Sequence, residues 1–84
     1  MEYKVLVKLF VPEIEETYEA YIPINRTVGH VVLSLNQLIN SISGIYPLNQ
    51  NLLLYNRRTG VPYDRGLLVR DTDIRNGTEL VMIA

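Results

Sequence analysis

Thr27-Val28-Gly29-His30-Val31-Val32-Leu33-Ser34-Leu35-Asn36-Gln37-Leu38-Ile39-Asn40-Ser41-Ile42-Ser43-Gly44 is the stretch on which the fold turns. Within it Val28, Val31, Val32, Leu35, Leu38, Ile39 and Ile42 recur at intervals of three and four, the spacing that lines one side of an α-helix. Thr27 carries a side-chain oxygen suited to the free N–H groups of a first helical turn, and Gly44 tolerates the left-handed conformation that ends one. Caps and spacing together predict a core-facing helix of about four turns. Its interior is intrinsically weak, because Gly29, the valines, the serines and the asparagines each cost a few tenths of a kcal/mol, and up to about 1 kcal/mol for the glycine. Packing of the apolar stripe on a sheet must hold it.

Upstream, Tyr3, Val5, Val7 and Leu9 alternate with Lys4, Leu6, Lys8 and Phe10, which predicts a strand over Tyr3 to Phe10. Pro12-Glu13-Ile14-Glu15-Glu16 breaks the pattern, and Tyr18, Ala20 and Ile22 then alternate with Glu19 and Tyr21. A hairpin with an acidic loop is expected. Downstream of the helix, Asn51 to Asn56 is a short apolar run that predicts a third strand, ended by the turn Arg57-Arg58-Thr59-Gly60. Val61-Pro62-Tyr63 suits a brief edge segment, since proline cannot donate to a ladder. Leu67 to Ile74 is a compact connection, and Asn76-Gly77 a tight turn before a final strand over Thr78 to Ile83. The order is β-β-α-β-(β)-β, in the α+β class.

At 84 residues the chain holds one domain, residues 1–84, with no room for a second core. Hydrophobic residues make up 48% and charged residues 20%, so the composition of a disordered chain is absent. With no cysteine, disulfides, Cys-based zinc sites and thiol nucleophiles are excluded together. Met1 to Val5 alternate polar and apolar, unlike a secretory signal, and the cytoplasm is the expected location. No apolar run approaches the roughly 20 residues of a bilayer span, so membrane insertion is not expected. A net charge of −1 argues against nucleic acid, which calls for a basic face. His30 is the single histidine, without a companion for metal binding, and Asp71 and Asp73 fit turn capping better than a calcium loop. The glycines are scattered singly, and no nucleophile with a base, paired acid and base, or phosphate loop is visible. Neither a catalytic role nor a cofactor is expected; the expected partner is another protein.

The strand Tyr3 to Phe10, the helix entry from Pro23 to Thr27, Leu52-Leu53-Leu54-Tyr55, Asp71-Thr72-Asp73-Ile74 and Thr78 to Ile83 resemble, in order and spacing, the landmarks of the ubiquitin-like β-grasp. The resemblance implies a mixed sheet of four to five strands with one helix across one face and the terminal strands parallel at its centre. Tyr3, Val5, Val7, Ile22, Val31, Leu35, Leu53, Leu80 and Met82 would then form the core. Conjugating members of that superfamily use a flexible terminal diglycine, whereas this chain ends Ile83-Ala84, which implies a non-conjugated member. Asn51 to Tyr55, Thr59-Gly60, Tyr63-Asp64 and Ile74 to Leu80 are similar to the YukD family, bacterial cytosolic accessories of type VII (WXG100) secretion. A component of that machinery is the implied partner.

Matching to ubiquitin's apolar recognition face selects Phe10, Leu54, Val81 and Ile83, and strand alternation adds Leu6. This outer-face patch is the candidate protein-binding site. Burying four such side chains gains on the order of 6 to 12 kcal/mol, against an association cost of roughly 4 to 15 kcal/mol. Weak, transient docking is the expectation. A homodimer or larger homo-oligomer burying the same patch is the alternative. Arg57 and Arg58 form a charged secondary surface opposite the acidic loop, able to steer a partner, and an RNA-binding domain using the arginines is a third reading.

Overall fold

The computed structural model describes residues 3–84; Met1 and Glu2, part of the amino-terminal alternation above, lie outside them. Four strands and one long helix follow the expected order: β1 (Lys4–Val11), β2 (Glu16–Pro23), α1 (Val28–Ser43), β3 (Leu53–Asn56) and β4 (Glu79–Ile83). The mixed sheet runs β2-β1-β4-β3. β1 and β2 pair antiparallel along their whole length, β1 and β4 lie parallel at the centre, and β4 pairs antiparallel with β3. This is the β-grasp arrangement. The β1–β2 turn is a 3-10 turn at Pro12–Ile14, closed by Glu15 in the left-handed region at φ 54°. Val61-Pro62-Tyr63 contributes a single bridge, Tyr55 to Pro62, in place of a fifth strand.

The caps of α1 are those the residue types call for. Thr27 Oγ1 accepts the His30 amide at 3.1 Å, and Gly44, at φ 73°, donates its amide to the Asn40 carbonyl. Gly29 serves a purpose beyond its helical cost: its amide reaches the Arg65 carbonyl at 2.9 Å, where a Cβ would meet that oxygen at 3.2 Å. Val28, Val31, Val32, Leu35 and Ile39 pack onto Val7, Leu9, Val11, Ile22, Leu54, Leu80 and Met82, with Tyr46, Leu52, Val69 and Ile74 closing the ends of this core.

Four expected core residues sit elsewhere. Tyr3 is 59% exposed, because the paired strand begins only at Lys4. Leu53 lies on the other face of β3, and Leu38 and Ile42 of the helical stripe are exposed. A helix on a sheet covers a stripe of roughly 100°, which Val28, Val31, Val32, Leu35 and Ile39 already fill; Ile42 keeps to that stripe but stands in the last turn of α1. Leu38 precedes Ile39 by about 100° of rotation and falls outside. Val5 is half-buried against the core.

Candidate functional site: two apolar faces

Residues paired directly across strands share a face, so register decides which side chains the outer sheet surface carries. Phe10 pairs with Val81, and Val81 with Tyr55. Ile83 pairs with Leu53, two positions along. The result is a half-buried apolar cluster of Phe10, Val81, Tyr55, Ile83 and Leu53. Leu54 does not belong to it: paired with Met82, it is 1% exposed and part of the core. Leu52-Leu53-Leu54 is apolar throughout, so alternation in that run carries no phase, and only the antiparallel register with β4 supplies it. Leu6 shares the face but stands apart from the cluster. It pairs with Tyr21, and the row Glu19–Lys8–Glu79 lies between it and Phe10.

The two arginines separate in role. The Arg57 guanidinium lies 4.6 Å from the Phe10 ring centre, a cation–π contact that covers one end of the cluster. Its backbone amide donates to the Glu79 carbonyl. Arg58 instead lines a polar hollow of about 580 Å³ with Asn56, Thr59, Asp73, Asn76 and Glu79. Behind that hollow the Tyr63 hydroxyl donates to Asp73 Oδ1 at 2.7 Å and accepts from Asn56 Nδ2 at 3.0 Å. Burial and the Asp73 carboxylate push the Tyr63 phenol up to about 12, against the opposing effect of Asn56. Thr72, between the two aspartates, caps its turn: its hydroxyl donates to the Val69 carbonyl and accepts from the Ile74 amide. His30 is exposed on α1.

The second face escaped sequence reading. Leu33 on the outward side of α1, Leu38 and Ile42 along the edge of its apolar stripe, and Ile45 and Leu48 in the loop after it are 48–73% exposed. Leu33 and Leu48 line a shallow hollow of about 240 Å³ with Asn36, Gln37, Asn49 and Gln50. The loop is tied to the helix by side chains. Asn36 Nδ2 donates to the Pro47 carbonyl while its Oδ1 accepts the Asn49 amide, and Asn40 Nδ2 donates to the Tyr46 carbonyl at 2.7 Å. Ser43 Oγ accepts the Ile45 and Tyr46 amides. Tyr46 is buried and its hydroxyl reaches Glu13; burial foremost, with that carboxylate, pushes its phenol up to about 12. The signal that would have found this face is Leu33, apolar yet off the core stripe.

Fold and surfaces together define a ubiquitin-like β-grasp domain with apolar faces on both sides. Among solved structures, a chain of the MycP5-free ESX-5 inner membrane complex, State II, is 19% identical over 96% of this chain, with a TM-score of 0.80. This chain spans only 21% of that one. The ubiquitin-like domain of the type VII secretion system protein ECCD1 of Mycobacterium tuberculosis is 9% identical, covering 96% of this chain and 98% of its own, with a TM-score of 0.74. A chain of the toluene 4-monooxygenase HD complex reaches a TM-score of 0.79 at 8% identity, over 94% of this chain and 95% of its own. At such identities the likeness is one of fold. No protein-family model and no curated protein matches the chain. Among the described residues no helix is long and apolar enough to cross a membrane.

Proposed function

We propose that the chain is a ubiquitin-like protein-interaction module, without catalysis of its own, that docks a component of a bacterial type VII secretion machine through the outer face of its sheet. The carrying observation is the cross-strand cluster of Phe10, Leu53, Tyr55, Val81 and Ile83, five apolar side chains left partly open to solvent on one face of a four-stranded sheet. Contiguous apolar surface rimmed by polar residues marks interaction sites on small proteins, and here Lys8, Glu19 and Glu79 bound it. The fold's likeness to ubiquitin-like domains of type VII secretion proteins supports the choice of machine. A YukD-like accessory working in the cytoplasm is the form this reading takes.

Replacing Tyr55 by a photo-crosslinking amino acid in cells tests it. The expected adduct is a secretion-machine protein, lost when Val81→Lys is added while the thermal transition is retained. An adduct with a protein of another system overturns the secretion link and leaves docking; an RNA adduct, or none, overturns both.

A further inference from the structure

The two edges of the sheet differ. At the β3 edge residues 61–63 close the ladder: the Asn56 amide donates to the Val61 carbonyl, and the Tyr63 amide to the Leu54 carbonyl. β2 forms the other edge and runs eight residues, Glu16–Pro23. The Ile24 amide donates to the Tyr3 carbonyl, so antiparallel alternation assigns Ile22, Ala20, Tyr18 and Glu16 to the bonds with β1. Thr17, Glu19 and Tyr21 turn their N–H and C=O groups away from the sheet, where no backbone group of the described residues bonds them. Edges of this kind are commonly blunted by a bulge, an internal proline or a lysine. Here every residue of β2 pairs one to one with β1, its proline stands last, and its charge is acidic.

We infer that β2 accepts a basic, extended segment of another protein as a fifth strand. Strand addition draws affinity from main-chain hydrogen bonds and specificity from alternate side chains. Between Lys8 and Arg26 the chain holds Glu13, Glu15, Glu16 and Glu19, all exposed, and no Lys or Arg. Across the ladder Lys8 faces Glu19, but Val11 faces Glu16, so the turn end of the edge is acidic without a cross-strand counter-charge. A second copy of the chain would set these glutamates against themselves. The symmetric register that uses all three open residues puts Glu19 opposite Glu19, which like charge disfavours. A basic segment meets complementary charge instead. The two-residue period of a strand settles its pattern. Residues opposite Thr17, Glu19 and Tyr21 share the outer face, where Lys or Arg lies beside Glu19 and the Tyr21 side chain, 68% exposed. The alternate residues lie beside Tyr18 and Ala20, which pack against the core, and there aliphatic side chains fit.

Titration of the whole chain with the peptide Val-Lys-Val-Lys-Val-Lys-Val, followed by amide NMR and hydrogen exchange, tests this. Alone, the Thr17, Glu19 and Tyr21 amides should exchange fast and those of Tyr18 and Ala20 slowly; saturating peptide should slow the first three by about tenfold or more. Affinity should fall between about 50 mM and 500 mM salt, and by about tenfold or more when glutamates replace the peptide lysines. Glu16→Gln and Glu19→Gln together, both at exposed positions, should weaken binding about two- to tenfold with the thermal transition retained. N-methylation of one alternate set of peptide amides should abolish binding and that of the other set spare it, because only one set faces the domain. Two N-methylated sets that behave alike overturn the inference. So does equal affinity for the glutamate peptide, a response confined to the Phe10–Val81–Tyr55 cluster, or no protection of Thr17, Glu19 and Tyr21 up to about 1 mM peptide.

Discussion

Asn36 is the buried polar residue of α1, 3% exposed, and its amide is engaged at both ends, donating to the Pro47 carbonyl and accepting the Asn49 amide. A buried side chain that satisfies two backbone groups is costly to remove, because both partners lose their hydrogen bond at once. Asn36→Ala should lower stability by about 1 to 3 kcal/mol, read as a reduced urea midpoint. An unchanged midpoint would mean that water replaces both bonds. Nothing in the composition marks Asn36 among its neighbours: it lies beside the apolar stripe, and its partners are fixed by a loop conformation that local sequence does not reveal. The caps differ in this respect. Thr27 and Gly44 act through groups within four residues of themselves, and for that reason they are legible directly.

Among the elements, β3 shows how a strand can be found and its faces still be mistaken. Asn51 to Asn56 is recognisable as a strand from its apolar run and bounding polar residues, but three successive leucines offer no alternation. Pairing of Leu54 with Met82 and of Leu53 with Ile83 resolves it. Leu54→Ala should cost about 2 to 5 kcal/mol, as core truncations do, and Leu53→Ala clearly less. Thermal or urea unfolding of the two variants reads the difference; equal losses would contradict the register. It follows that Leu54→Asp unfolds the domain and says nothing about docking, whereas Tyr55 and Val81 report on the outer face. For β1 and β4, polar residues interrupt the apolar ones and faces are readable: Phe10, Val81 and Ile83 stand where alternation put them. The flank of α1 was less legible, since a 3.6-residue period marks apolar positions without stating how wide a stripe the sheet covers.

Across the whole molecule, two tyrosines tie distant segments together through carboxylates. Tyr46 joins the loop after α1 to Glu13 of the β1–β2 turn, and Tyr63 joins the segment beside β3 to Asp73. Both phenols are raised from 10.0 to about 12, so the folded state keeps protons that the unfolded chain releases above pH 10. Stability from these groups is complete below pH 10 and is lost as pH rises toward 12. Tyrosinate absorbance should show two of the six tyrosines titrating near 12, and urea midpoints should fall over that window. Tyr46→Phe should remove part of the fall; an undiminished slope would assign it elsewhere. The outer-sheet cluster is a property of the same scale, assembled from β1, β3 and β4, which lie apart in the chain. The element order and the helix with both its caps were legible from residues alone, because periodicity and capping are local, while the parallel pairing of the terminal strands came from the resemblance to the ubiquitin-like β-grasp and is what the sheet shows. Only the tertiary structure decided the phase of β3, the exposure of Leu38 and Ile42, the separation of Leu6 from the outer cluster and the tethered loop. Each depends on which residue of a distant segment arrives opposite, and register and coverage are set by the assembled sheet.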